Sequence, residues 1–115
     1  EPAALLGGDK AVSPAEYVMQ ALAGCYAVTL VATAAERGIE LKSLELNLEC
    51  DIDLNGFLGT DKNVRPGAQQ IRVGVSIDSP GTTREDIQDL VHTLERRSPI
   101  RDTLASPVDV ITVLN

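Results

Sequence analysis

Ser13-Pro14-Ala15-Glu16-Tyr17-Val18-Met19-Gln20-Ala21-Leu22-Ala23-Gly24-Cys25-Tyr26-Ala27-Val28-Thr29-Leu30-Val31-Ala32-Thr33-Ala34-Ala35-Glu36-Arg37-Gly38 is the stretch on which the architecture turns. It opens with a helix-start signal: a serine N-cap, proline at the first helical position, and a glutamate three residues after the cap that can bond back to its amide. Gly38 supplies the stop, because glycine can take the left-handed conformation that closes a helix. The spacing predicts a helix from about 14 to 37, roughly 35 Å long at ~1.5 Å per residue. Val18, Met19, Leu22, Ala23, Val28, Leu30, Val31 and Ala34 point around most of its circumference, so more than one side must be covered. A chain of 115 residues is one domain with one core. It can hardly wrap such a rod alone, and a homodimer that buries the remaining face is the economical expectation.

Tyr17 to Ala35 contains no charged residue, although 23% of the chain is charged. The run approaches the length of a membrane span, but it carries Gln20, Thr29 and Thr33 and is rich in alanine, which favours a core helix. The formal charge of −7 argues against nucleic acid and anionic membrane surfaces as partners, since both would repel an acidic face. Two cysteines without paired spacing do not make a disulfide framework, and a reducing cytoplasm is the expected compartment.

Beyond the helix the period changes to two. Leu44, Leu46, Leu48, Cys50, Ile52 and Leu54 alternate with Glu45, Asn47, Glu49, Asp51 and Asp53, and Ile71, Val73, Val75 and Ile77 alternate with Arg72, Gly74, Ser76 and Asp78. A long hairpin follows from this, with a loop over 55–67 at its tip. Thr82 and Thr83 ahead of Glu85 and Asp86 start a second helix running to about Arg97, with Ile87, Leu90, Val91 and Leu94 as its apolar stripe. Ser98-Pro99 opens a short third helix to about Ala105, and Val108 to Val113 reads as a closing strand. The fold class is α+β, with neither a phosphate-binding βαβ signal nor a repeat.

Cys25 is the residue on which chemistry would depend. A buried cysteine is often plain core, yet Gly24 beside it costs about 1 kcal/mol in a helix interior. That cost is easier to understand if a substrate or a partner backbone approaches the helix at the sulfur. Cys50 sits at an apolar strand position and reads as core. His92 falls on the polar side of the second helix, so no Cys-His pair is formed, and one histidine with two distant cysteines makes no metal site. Arg96 and Arg97 complement the negative end of their helix. No cofactor is called for.

Several of these segments together resemble one family. Ser13-Pro14-Ala15-Glu16-Tyr17 leading to Ala21-Leu22-Ala23-Gly24-Cys25, the loop Asp53-Leu54-Asn55-Gly56-Phe57-Leu58-Gly59, Val64-Arg65-Pro66-Gly67, and Arg97-Ser98-Pro99-Ile100 with Asp102-Thr103-Leu104 are similar to the OsmC/Ohr family of thiol peroxidases. The resemblance implies an OsmC-like intertwined homodimer, its long central helices packed between antiparallel sheets, and a single domain over 1–115 without the family's N-terminal hairpin. That hairpin carries an arginine which helps stabilise the reactive thiolate, and residues 1–12 offer no counterpart. The resemblance further implies that Cys25 attacks an organic hydroperoxide and becomes a sulfenic acid. The family's resolving cysteine, which precedes a proline, is Ser98 here, so the implied cycle uses one cysteine and an external thiol reductant. The family's orienting glutamate stands ten residues before the cysteine; Glu16 stands nine before Cys25 and Ala15 fills the tenth place, a rotation of about 100°. Cys25, Glu16 and Ser98 are the expected site residues, in a protein of oxidative-stress defence. The alternative is a non-catalytic module that binds a small hydrophobic ligand at the dimer interface, with Cys25 lining the pocket.

Overall fold

The computed structural model describes residues Glu1–Asn115. After a single turn of 3-10 helix at Ala3–Leu5, the elements run α1 (Pro14–Glu36), β1 (Ser43–Asp51), α2 (Leu54–Phe57), β2 (Gln70–Asp78), α3 (Arg84–Arg97) and α4 (Pro99–Ala105). The long helix begins where its capping box predicts. The Glu16 amide donates to Ser13 Oγ at 3.2 Å, and the Ser13 amide donates to Glu16 Oε1 at 3.4 Å. It ends at Gly38, whose φ of 67° is the left-handed conformation a glycine tolerates.

Strands β1 and β2 pair antiparallel from Ser43↔Asp78 to Asp51↔Gln70, with Leu44, Leu46, Leu48 and Cys50 half-buried on one face and acidic residues exposed on the other. The ladder stops three residues short of the expected Leu54. The Asp53 amide is taken by Gln69 Oε1 at 2.8 Å, while the Asp53 carboxylate accepts from the Asn55 amide at 3.0 Å and so caps the short α2. A side-chain cap thus outcompetes continued alternation. Thr83 Oγ1 caps α3 by accepting from the Asp86 amide, and the chain turns directly from Arg97 through Ser98 into α4.

The core is a stripe along α1, not its whole circumference. Leu22, Tyr26, Leu30, Thr33 and Ala34 are buried, a spacing of four, four, three and one that follows one helix face against Leu90 and Leu94 of α3 and the apolar face of the hairpin. Arg37 Nη1–Asp89 Oδ2 at 2.7 Å and Arg97 Nη1–Glu36 Oε2 at 3.2 Å join the C-terminal end of α1 to the middle and the C-terminal end of α3. By length and composition α1 could cross a membrane; its buried stripe here occupies the position of a core helix. The opposite face is open: Val28 is 72% and Val31 54% exposed.

The expected closing strand is not formed. Residues 107–115 form no helix or strand and are exposed, without a ladder partner in the chain, and Val110 and Leu114 are 87% and 98% exposed. Alternating apolar residues specify an extended backbone, but a strand also needs an edge to bond. The molecule is correspondingly elongated, 52 × 30 × 30 Å with a radius of gyration of 17.6 Å, against ~13 Å for a compact domain of this length. Its surface is 8500 Å², whereas a compact monomer of this mass would expose about 6,100 Å².

Candidate functional site

Two of the three expected site residues meet. Cys25 projects from the middle of α1, and Ser98 stands at the junction of α3 and α4, 73 residues later in the chain. Ser98 Oγ donates to Cys25 Sγ at 3.2 Å while accepting the Arg101 amide at 3.3 Å. The local sequence makes this possible. A serine N-cap uses an oxygen lone pair to hold the first turn of its helix, which leaves the hydroxyl proton free to point at the sulfur. Ser98 is 1% exposed, so solvent does not compete for that proton. Thr29 Oγ1, one turn along α1, lies 3.9 Å from the same sulfur.

Burial pushes the Cys25 thiol up, but hydrogen bonds from the Ser98 hydroxyl, the Ile100 amide and the Thr29 hydroxyl outweigh it, and the net result lies below the ordinary thiol value. All three favour the charged form, because a thiolate accepts more strongly than a thiol. Cys25 opens onto a groove of about 490 Å³ with Gly24, Val28, Thr29, Arg97 and Pro99 on its walls. A side-chain carbon added to Gly24 would meet nothing within 4 Å. The glycine keeps the surface beside the sulfur low and open, and no other segment of the chain approaches it.

Glu16 is not part of this assembly. Its carboxylate is exposed and bonded to the Ser13 amide, and nine residues of helix carry it about 13 Å along the axis from Cys25. Ala15, the neighbour in the family's glutamate register, faces inward and lines a second cavity. His92 is exposed beside Glu95, and no cluster of His, Cys, Asp and Glu could hold a metal.

That second cavity, of about 520 Å³, lies between α1, the hairpin and α4. Cys50 lines it, together with Tyr26, Arg65 and Arg101, which sequence reasoning passed over. Burial raises the Tyr26 hydroxyl above the ordinary phenol value, against the lowering effect of the Arg101 guanidinium beside it. Arg101 Nη1 donates to the Glu95 carbonyl at 3.2 Å, and its Nη2 pairs with Glu95 Oε2 at 3.7 Å. One signal was available for Arg101. It occupies the third position of α4, where the helix dipole disfavours a cation and a glutamate would complete a capping box.

The structure resembles solved proteins of one kind. It superposes on an OsmC-like protein from Mycoplasma pneumoniae with a TM-score of 0.78 at 20% identity, covering 93% of this chain and 70% of that one. On an OsmC-like protein of unknown function from Vibrio cholerae O1 biovar eltor the TM-score is 0.66 at 15% identity, covering 80% of this chain and 58% of that one. No curated protein matches. The family model described as OsmC-like protein matches residues 7–113, nearly the whole length, and this chain therefore belongs to the OsmC-like family.

Proposed function

We propose that this chain is a one-cysteine thiol peroxidase that reduces organic hydroperoxides in a reducing, cytoplasmic compartment as part of oxidative-stress defence. The observation that carries the reading is the 3.2 Å hydrogen bond from Ser98 to Cys25, which holds a buried hydroxyl proton on the sulfur. The thiolate attacks the terminal oxygen of the hydroperoxide and the O–O bond breaks. The departing alkoxide takes a proton and leaves as an alcohol, and Cys25 becomes a sulfenic acid. An external thiol then condenses with it, releasing water and forming a mixed disulfide. A second thiol displaces the first as a low-molecular-weight disulfide and returns Cys25 to its starting state. Ser98 cannot form a disulfide, so the reductant comes from outside the chain.

The test is to mix reduced protein with one equivalent of an aromatic or fatty-acid hydroperoxide, trap sulfenic acid, and locate it by mass spectrometry. Stoichiometric labelling confined to Cys25 is expected. Labelling no faster than that of a free thiol would overturn the reading. Ser98→Ala should slow the reaction at neutral pH by up to about tenfold, the equivalent of the ~1.5 kcal/mol that a hydrogen bond to a charged partner contributes, because its loss raises the thiol and lowers the thiolate fraction. The pH at which the rate levels off should rise accordingly; an unchanged profile would remove Ser98 from the chemistry.

The working unit is proposed to be a homodimer. The open face of α1 and the unpaired apolar tail support this, as does the surface excess of about 2,400 Å² over a compact monomer, within the range that an obligate interface covers. Light scattering at micromolar concentration should give twice the chain mass, and a stable monomer would contradict the proposal. A second reading, a non-catalytic module for a small hydrophobic ligand, draws its support from the 520 Å³ cavity.

A further inference from the structure

The cavity between α1, the hairpin and α4 has a chemical bias that the thiol site does not explain. Twelve of its seventeen lining residues are hydrophobic, and none is an aspartate or glutamate. In a chain with seventeen acidic residues against ten lysines and arginines, the charged residues on this wall are nonetheless two arginines, Arg65 and Arg101. Arg65 forms no ion pair within the chain, in contrast to Arg37, Arg72, Arg97 and Arg101. Its loop is held in place, with Gln69 Nε2 donating to the Arg65 carbonyl at 3.5 Å and the backbone of Gly56 packed so closely against that carbonyl that a side chain at position 56 would collide. Arg101 is fixed by Glu95 beside the Tyr26 hydroxyl. Val18, Leu22, Ile71 and Val73 supply the apolar walls. A volume of 520 Å³ lies within the ordinary range for small-molecule sites, which pair apolar walls with a few placed polar groups.

We propose that this cavity binds a monocarboxylate with an apolar tail, the tail lying between α1 and the hairpin and the carboxylate held by Arg65 and Arg101. Charge complementarity selects the anion, since guanidinium groups match a carboxylate's two oxygens. The site is separate from the Cys25 groove, so it binds whether or not Cys25 reacts with peroxide.

Cys50 lies on the wall and reports occupancy. Reduced protein is treated with iodoacetamide, and modification of Cys50 and Cys25 is followed separately by peptide mass spectrometry with octanoate, decanoate or 1-decanol present. Decanoate is expected to slow modification of Cys50 in a saturable manner while leaving Cys25 unchanged. Octanoate should require a concentration roughly fifteenfold higher, about fourfold per methylene, and 1-decanol about tenfold higher for want of the anion. Arg65→Gln, in a loop remote from the core, should weaken decanoate by several-fold and leave 1-decanol unaffected; Arg101→Gln should do the same. Equal protection by decanoate and 1-decanol, or equal protection of both cysteines, would overturn the proposal. So would a Cys50 that resists modification without any ligand, because the cavity would then be closed, for example by a second copy of the chain.

Discussion

Cys25→Ser is expected to abolish hydroperoxide consumption and sulfenic-acid trapping while leaving the fold intact. A serine hydroxyl is hardly ionised at neutral pH and has no sulfur to oxidise, so there is no slower version of the same reaction for it to perform. The exchange is nearly isosteric, and an oxygen at position 25 can still accept from the Ser98 hydroxyl, so circular dichroism and thermal unfolding should change little. Cys50→Ser is the matched control. Cys50 lines a different cavity, and its loss should leave the reaction at the wild-type rate. In the wild-type protein the rate should climb with pH and level off lower than for a free cysteine peptide, because hydrogen bonds favour the thiolate. Hydroperoxide consumption by Cys25→Ser at the wild-type rate would remove this site from the chemistry altogether.

Leu30→Ala is expected to lower stability by about 3–4 kcal/mol, roughly 12–16 °C in unfolding temperature for a chain of this length. Leu30 is fully buried where α1 crosses α3, packed in the same cluster as Leu90 and Leu94. The truncation loses apolar contact and leaves a cavity between two helices that the surrounding structure closes only in part. Leu30→Met keeps the volume and should cost less than about 1.5 kcal/mol. Urea denaturation of the three proteins at one concentration decides it; a loss below about 1 kcal/mol for the alanine variant would mean that the helices repack freely.

The parts of this structure that were legible in the sequence are those decided locally. Ser13-Pro14-Ala15-Glu16 and Gly38 mark α1 because caps act within four residues, and the alternation of Leu44 to Cys50 against Ile71 to Ile77 fixes the hairpin because its period is set by the pleat. What depended on a partner elsewhere was harder. Val108 to Val113 have the pattern of a strand, but no pattern can say whether an edge is present to receive it. The apolar circumference of α1 was visible; which face packs within the chain was decided by Leu90 and Leu94, some sixty residues away. The contact of Ser98 with Cys25 was reached through family resemblance, since nothing local joins residues so far apart. Arg65, Arg101 and Tyr26 come from three elements without a shared motif, and only the folded chain brings them around one cavity.

In the proposed cycle the oxygen at position 98 would also set a clock. Were a sulfur there, an oxidised Cys25 could be quenched by its neighbour at a rate that owes nothing to concentration, since groups held together react as though at very high molarity. With a hydroxyl at 3.2 Å instead, an oxidised chain in the proposed cycle would wait for a collision. Its lifetime would then be written by the abundance of thiols in the surroundings, and where these are scarce the protein would retain the oxidising equivalent.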